Sequence, residues 1–261
     1  MTISNRAMNK QFLVISRHLL NQLLIASVSS LFIVNTALAY NPPKKPSRPR
    51  TTTSNAIRND LCLQSTEYNL TVLAPVGHIG ETISQQPIFA WFLPNSKPRK
   101  MELSVFEYVN DARGKKIKSF QLDSQPGRMM KFSPNSEGFT FELGKTYLWQ
   151  ISLLCDRNNP MKDIFAEAVI QIVPKSPALV SQLGQANDPL KRAKIYADAG
   201  LWYDAFAEVL ENPQGKDFML QMLTKLSKLE AESAGDASEK WLKDNLEAQA
   251  SQLEKVVARE K

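Results

Sequence analysis

Histidine and cysteine are scarce in this sequence, with two of each among 261 residues. One histidine, His18, lies in an N-terminal segment that we expect to be removed, which leaves His78 as the only imidazole in the body of the chain. Zinc sites draw several ligands from histidine and cysteine, and nucleophilic triads need a partner motif around their histidine. The sequence therefore predicts no catalytic residue, no metal site and no bound cofactor.

Other signatures of ligand chemistry are missing as well. The chain has 10 glycines but no glycine-rich phosphate loop, and it lacks the alternating aspartates of a calcium loop. Lysine and arginine outnumber the acids by 32 to 26, but residues 1–60 hold eight of the basic residues and one acid. A nucleic-acid-binding domain concentrates positive charge on its folded part, so we expect no nucleic-acid partner.

The start of the chain has the layout of a secretory leader. Three basic residues precede an apolar run over residues 19–34, and Ala37-Leu38-Ala39 then places small residues at the two positions that a signal peptidase reads. An uncleaved membrane anchor is the alternative, but Asn21 and Gln22 leave the run shorter than the roughly 20 residues that a bilayer span needs. We predict that residues 1–39 are a cleaved signal peptide and that the product is exported to the periplasm or cell surface, with no stable transmembrane segment.

Residues 40–60 are rich in proline and positive charge and lack apolar periodicity. This composition is typical of an extended, solvated linker, and we predict a disordered one. Its basic side chains would be attracted to anionic envelope surfaces such as phospholipid headgroups or acidic wall polymers. The alternative is a spacer that its charge keeps soluble. The basic residues concerned are Lys44, Lys45, Arg48 and Arg50.

Cys62 and Cys155 are the only cysteines of the chain. In an exported protein, two cysteines indicate one disulfide, which would tie the first ordered residues to the end of a central strand. Two separate buried thiols are the alternative. A redox-active pair is not expected, because the Cys-x-x-Cys spacing is missing.

Residues 61–174 have the pattern of an all-β domain. The stretch 147–155 alternates apolar side chains onto one face, which predicts a central strand packed on a core. Strand-like runs separated by turn residues follow at the spacing of a β-sandwich, with Trp91, Tyr147 and Trp149 in its core. The predicted strands are 70–74, 87–93, 101–109, 116–122, 128–132, 146–155 and 164–173.

The aromatic pattern of these strands resembles that of immunoglobulin-like and fibronectin type III domains. In those folds a tyrosine near the start of the penultimate strand bonds to the backbone at a corner, and Tyr147 is the candidate for that role. Immunoglobulin domains place a cysteine two residues after that tyrosine, whereas this chain has Trp149 there. We therefore predict an immunoglobulin- or fibronectin III-like β-sandwich of about seven antiparallel strands with a different cross-link.

Beyond Pro177 the apolar period changes to about 3.6 residues, which predicts an α-helical C-terminal region of about four helices. Asp188 followed by Pro189 is a good helix start, and Gly200 is a good stop. Residues 178–212 would form a helical hairpin packed on the sandwich, with Trp202 in the core.

Residues 213–261 contain two further amphipathic helices. They would dock on the rest of the domain as a hairpin, or the last helix would project and pair with a cell-envelope protein. The second alternative makes the last helix the best candidate for a partner surface. That surface would consist of Leu242, Leu246, Leu253 and Val257.

The chain carries five short motifs in a characteristic order: 70–75, 87–94, 143–149, 153–156 and 196–205. Together with the leader and the basic linker, they resemble a cyanobacterial family known as domain of unknown function 928 (DUF928). The resemblance covers about residues 61–212 and leaves the last two helices outside. It implies an exported protein and assigns no activity, cofactor or catalytic residue.

Three functions compete on this basis. The first is a non-enzymatic interaction or scaffold module of the cell envelope that presents its helical appendage to a protein partner. The second is a polysaccharide- or peptidoglycan-binding module that uses the basic linker and aromatic side chains of one sheet. The third is a carboxylate hydrolase, which would need two acids that converge in a pocket.

Overall fold

The computed structural model describes residues 39–43, 62–63, 67–94, 96–156, 158–210 and 212–261. The predicted signal peptide, apart from Ala39, lies outside the described residues, and so do Lys44, Lys45, Arg48 and Arg50 of the linker. Within the part that is described, no helix is both long enough and apolar enough to span a bilayer.

The β part consists of two sheets with eight strands over the described residues. One sheet has the strand order β1-β3-β6, and the other has the order β2-β8-β7-β4-β5. Neighbouring strands are antiparallel except for β2 and β8, which are parallel. The prediction of seven antiparallel strands therefore lacked one short parallel strand, β2. The strands are β1 Thr71–Val72, β2 Gly80–Thr82, β3 Phe89–Leu93, β4 Lys100–Val109, β5 Ala112–Asp123, β6 Arg128–Phe132, β7 Thr146–Leu153 and β8 Ile164–Ile172.

Strand β7 is the central strand that the sequence predicted. It pairs with β8 on one side and with β4 on the other. Tyr147, Trp149 and Ile151 belong to the main core, while Gln150 and Ser152 alternate with them and are only partly buried. β3 likewise lies in the middle of its sheet and is buried along its whole length. The core therefore lies where the buried faces of β3 and β7 meet.

The helical region has five helices within the described residues, one more than predicted. Asp188 caps the second of them, because its side chain accepts a hydrogen bond from the N–H of Lys191. Gly200 adopts the left-handed φ of +82° that ends the turn after that helix. The unpredicted helix is the first, which Ser176 caps in the same way. The helices are α1 Pro177–Gly184, α2 Pro189–Asp198, α3 Trp202–Leu210, α4 Lys216–Gly235 and α5 Lys240–Glu260.

The last two helices dock on the domain. α4 and α5 pack against each other, and α5 also contacts β1. The side-chain amide of Gln249 donates to the carbonyl of Val72 at 2.9 Å, and the N–H of Asn69 donates to Gln252 Oε1 at 2.9 Å. These bonds fix the register of α5 along the start of the β domain.

Docking buries the predicted partner surface, so that prediction is wrong. Leu246, Leu253 and Val257 are 2%, 0% and 4% exposed, and Leu242 packs against the same core. The apolar stripe that the sequence displays is satisfied within the chain, because burial against a neighbouring core removes it from water without any partner.

The first described segments, 39–43 and 62–63, are held by an aromatic side chain and by a disulfide. Cys62 and Cys155 form the disulfide, with their Cα atoms 5.5 Å apart. Tyr40 has no exposed surface, which corrects the prediction of a disordered linker at its first residues. The physical reason is the large apolar area of the tyrosine ring, which outweighs the solvating tendency of the prolines that follow.

Candidate functional site

The helical hairpin of α2 and α3 is attached to β7 and to Leu73, the residue after β1, by buried aromatic side chains. The indole N–H of Trp202 donates to the carbonyl of Leu73 at 3.0 Å. The indole N–H of Trp149, on the central strand, donates to the hydroxyl of Tyr203 at 2.9 Å. β7 therefore positions the start of α3 directly. Asp204, the next residue of α3, lies beside the connection between β2 and β3.

A polar cleft lies at this junction, between residues 82–88 and the hairpin. Its volume is about 440 Å³. A cleft of this size falls within the range of small-ligand sites. The polar side chains that line it include Thr82, Ser84, Gln86, Tyr196, Asp204 and Glu208.

Asp204 lies on the wall of the cleft, and its carboxylate is held in place. The N–H of Ile83 donates to Asp204 Oδ2 at 3.1 Å, and the side chain of Thr82 also bonds to the carboxylate. Burial raises the pKa of Asp204 to about 6, against these hydrogen bonds, which lower it. A carboxylate perturbed by desolvation in a cleft is a feature of functional sites.

Glu208 is the second carboxylate of the cleft, one helical turn after Asp204 on the same face of α3. Arg192 of α2 binds it in a bidentate manner, with Nε 2.8 Å from Oε1 and Nη2 2.7 Å from Oε2. The hairpin thus presents two oriented carboxylates, one of them neutralised by a guanidinium. This arrangement can accept hydrogen bonds from N–H or O–H groups of a ligand.

The hydrolase hypothesis required two acids that converge in a pocket. Asp204 and Glu208 both line the cleft. Sequence reasoning did not single them out, because any of 26 acids could have been paired. The one signal in the sequence was that Asp204 lies in the 196–205 motif and Glu208 lies three residues after its end.

A second group of titratable side chains is buried around loop 75–80. His78 Nε2 lies 3.0 Å from the hydroxyl of Tyr40, and burial lowers the pKa of His78 to about 4. Glu230 of α4 accepts the backbone N–H groups of Val76 and Gly77 at 2.8 and 2.7 Å. His78 is 4% exposed, so the one imidazole in the body of the chain is buried.

A shallow groove of about 500 Å³ lies on the face of the five-stranded sheet that carries Gln150 and Ser152. The amide of Gln150 donates to the hydroxyl of Ser152 at 2.9 Å. Phe165 and Met161, which is 90% exposed, contribute apolar surface beside them. This groove combines hydrogen-bonding groups with an aromatic ring.

The structure places the sequence-predicted site residues in the body of the domain. Trp91, Trp149 and Trp202 have no exposed surface, and Tyr147 is 6% exposed. The hydroxyl of Tyr147 accepts the N–H of Glu142 at 3.1 Å, which is the backbone contact predicted for this tyrosine. None of these four side chains meets solvent enough to contact a partner.

The described part of the chain is a two-sheet β domain that carries a helical hairpin beside a polar cleft and a second, docked helical hairpin. The sequence model of the family described as Domain of Unknown Function (DUF928) matches residues 53–234. The chain therefore belongs to the DUF928 family. The matched region includes nearly all of α4, so the family extends further than the resemblance over residues 61–212 indicated. A comparison with curated proteins found no match.

Proposed function

We propose that this chain is an exported, non-enzymatic interaction or scaffold module of the cell envelope, and that the cleft between residues 82–88 and the α2–α3 hairpin is its recognition site. The leader pattern of residues 1–39 and the disulfide between Cys62 and Cys155 support export, because disulfides persist in oxidising compartments. The periplasm or the cell surface is the proposed location.

One observation carries the choice of site: the two carboxylates of the cleft are oriented before any ligand arrives. Asp204 is held by Ile83 and Thr82, and Glu208 is held by Arg192. Acceptors held in this way reduce the entropy cost of binding. They favour recognition of a partner that inserts hydrogen-bond donors, while the partly buried Tyr196 supplies an aromatic rim.

Photocrosslinking in the envelope tests this proposal. A photoreactive amino acid at position 86, an exposed residue of the cleft rim, should give a defined adduct, whereas the same group at exposed position 137 should not. Asp204→Asn should reduce the adduct about tenfold, the effect of losing a charged hydrogen bond. Equal adducts at positions 86 and 137, or an adduct that Asp204→Asn leaves unchanged, would contradict the cleft as the recognition site.

The groove on the five-stranded sheet supports a second candidate, a polysaccharide- or peptidoglycan-binding module. Gln150 and Ser152 offer hydrogen bonds to sugar hydroxyls, and Phe165 offers a ring for stacking. Binding of the protein to isolated cell wall at low salt should fall with Phe165→Ala and persist with Leu143→Ala, a control at a side chain that is 57% exposed. Failure of the unmodified protein to bind cell wall would remove this candidate.

The hydrolase hypothesis remains a third proposal for the cleft. It differs from the binding proposal in one measurable respect: it predicts turnover of a glycoside, which Asp204→Asn would abolish, whereas the binding proposal predicts no turnover. The basic residues of the linker, Lys44 and its neighbours, are likewise proposed to contact anionic envelope surfaces.

We further propose that the two sheets form an immunoglobulin-like sandwich. The bond from the N–H of Glu142 to the hydroxyl of Tyr147 supports this assignment, because it has the form of a tyrosine corner. The parallel pairing of β2 with β8 distinguishes this chain from a purely antiparallel sandwich.

A further inference from the structure

The four residues that follow the predicted leader are bound by the rest of the domain as a ligand would be. The Tyr40 ring lies edge-on to Trp202, with centroids 4.9 Å apart, and its hydroxyl lies 3.0 Å from His78 Nε2. Tyr40 has no exposed surface. A large aromatic side chain buried in this way contributes substantially to core stability.

The backbone of the same segment is also held. The N–H of Asn41 donates to the carbonyl of Ala197, at the end of α2, at 3.1 Å. A Cβ placed on Gly200 would lie 3.3 Å from Asn41 O and 3.3 Å from Pro43 N. Two features therefore favour glycine at position 200: residues 41–43 pass close to it, and its φ of +82° is left-handed.

We propose that Tyr40–Pro43 is an N-terminal anchor, an inference that rests on the proposed export of the chain. A leader peptidase hydrolyses the Ala39–Tyr40 bond, and the new first residue, Tyr40, then binds in the seat formed by His78, Ala197, Gly200 and Trp202. Water adds across the amide, which leaves a carboxylate on Ala39 and an α-ammonium group on Tyr40. Both residues at this bond are buried in the folded chain, with Ala39 7% and Tyr40 0% exposed.

The order of events follows from that burial. A peptidase needs the scissile bond in an extended, accessible form, so cleavage precedes docking of the anchor. The anchor then joins the start of the mature chain to loop 75–80 and to the α2–α3 turn. Each of these runs on along the chain into a residue that lines the proposed recognition cleft, Thr82 in the first case and Tyr203 in the second. Removal of the leader and completion of the fold are therefore coupled at Tyr40.

Two measurements on the protein purified from the envelope test the anchor. The intact mass should correspond to a chain that begins at Tyr40. Aminopeptidase should leave the native protein intact and should remove one tyrosine after denaturation. A first residue other than Tyr40, or equally rapid removal of tyrosine from the native protein, would overturn the proposal.

Two alanine substitutions at glycines separate the seat from general strain. Gly200→Ala and Gly144→Ala both place a side chain at a left-handed φ, +82° and +80°, but Gly144 has no atom near its Cβ position among the described residues. Gly200→Ala should speed removal of Tyr40 about tenfold. The new methyl group would press against residues 41–43, which can relieve the contact by moving out of the seat and exposing Tyr40 to the peptidase. Gly144→Ala should change the rate less than about twofold, since its strain lies elsewhere. Equal acceleration in both would refute the seat.

Tyr40→Phe provides a second variant that keeps the ring and removes only the hydroxyl. It should accelerate aminopeptidase trimming by about tenfold or less, since one buried hydrogen bond is lost while the contact with Trp202 remains. Protection equal to that of the unmodified protein would show that the His78 contact does not hold the anchor. A fall in protection to the level of the denatured chain would contradict the role of the ring.

Discussion

Glu230 is the buried charge on which loop 75–80 depends. It has no exposed surface, yet its carboxylate satisfies the backbone N–H groups of both Val76 and Gly77. A Cβ on Gly77 would lie 2.8 Å from Glu230 Oε2, so the glycine permits this approach. The N–H groups of Val76 and Gly77 lie outside the sheets, so the carboxylate of Glu230 replaces the backbone carbonyl groups that would accept them in a strand.

Glu230→Gln should destabilise the protein by about 1–3 kcal/mol at pH 7, because the amide can face only one of the two N–H groups with an acceptor. Urea denaturation measures the change. Glu232→Gln is the matched control, since Glu232 is exposed on the same helix and should shift the free energy of unfolding by less than about 0.5 kcal/mol.

The same pair of proteins has an expected pH dependence. Burial raises the pKa of Glu230 to about 7 from an ordinary value of 4.5, so the folded state binds the proton more tightly than the unfolded state. This contribution to stability is complete below pH 4.5 and is lost as the pH rises through 7, by roughly 3 kcal/mol at most. The glutamine variant lacks it, so the stability gap should narrow between pH 5 and pH 8.

His78 makes the comparison with a variant necessary. Its pKa is lowered to about 4, which gives a contribution of the opposite sign: stability present above pH 6.5 and lost as the pH falls through 4. Subtraction of the Glu230→Gln curve cancels this contribution. A gap that stays constant from pH 5 to pH 8 would show that the pKa of Glu230 is not raised in the fold.

At the scale of elements, α5 is a part of the core and not an appendage. Its buried face includes Leu246, Leu253 and Val256, and its two glutamines bond to the backbone around β1. Removal of residues 213–261 would therefore expose the main core. A chain that lacks residues 213–261 should therefore unfold and should not persist as an intact β domain.

Leu253→Ala should cost about 2–5 kcal/mol of stability, because Leu253 is fully buried and the cavity cannot be filled without movement of two helices. Trp241→Ala is the control on the same helix, since Trp241 is 43% exposed and its loss should cost less than about 1 kcal/mol. Thermal or urea unfolding measures both. Similar costs for the two substitutions would mean that α5 does not dock as described.

Elements with strong local signals were predictable. The period-two pattern of β7 and the cap of α2 at Asp188 depend on neighbouring residues, and both are where the sequence placed them. β2 was not predictable, because Gly80-Glu81-Thr82 has no alternation of apolar and polar residues and pairs with β8, 90 residues later in the chain. The surface against which the apolar stripe of α5 packs could not be predicted either, because an apolar face packs equally well against the same chain or against a partner.

The cleft could not be predicted for a related reason. The one-turn spacing of Asp204 and Glu208 is visible in the sequence. Their partner Ile83, however, lies 121 residues before Asp204. The carboxylates become a site only through that long-range contact. The docked position of Tyr40 has the same origin, because its contacts are at His78 and Trp202.

At the scale of the whole molecule, the start of the chain is fastened at successive points to later elements. Tyr40 is held at the α2–α3 turn, Cys62 at the end of β7, and Asn69 at α5. Each fastening closes a long loop, so each restricts the unfolded chain as well as the folded one. The disulfide is the only one of these that is covalent.

Loss of the disulfide should therefore lower stability strongly without changing the fold. Cys62 and Cys155 are separated by 93 residues, and closing a loop of that length is worth about 4–5 kcal/mol as an upper figure. The double variant Cys62→Ala and Cys155→Ala should have a lower urea midpoint than the oxidised protein and should not respond to dithiothreitol. The unmodified protein should fall to the same midpoint on reduction. A midpoint that reduction leaves unchanged, with both thiols then open to alkylation, would show that packing around Cys62 and not the covalent bond fastens this segment.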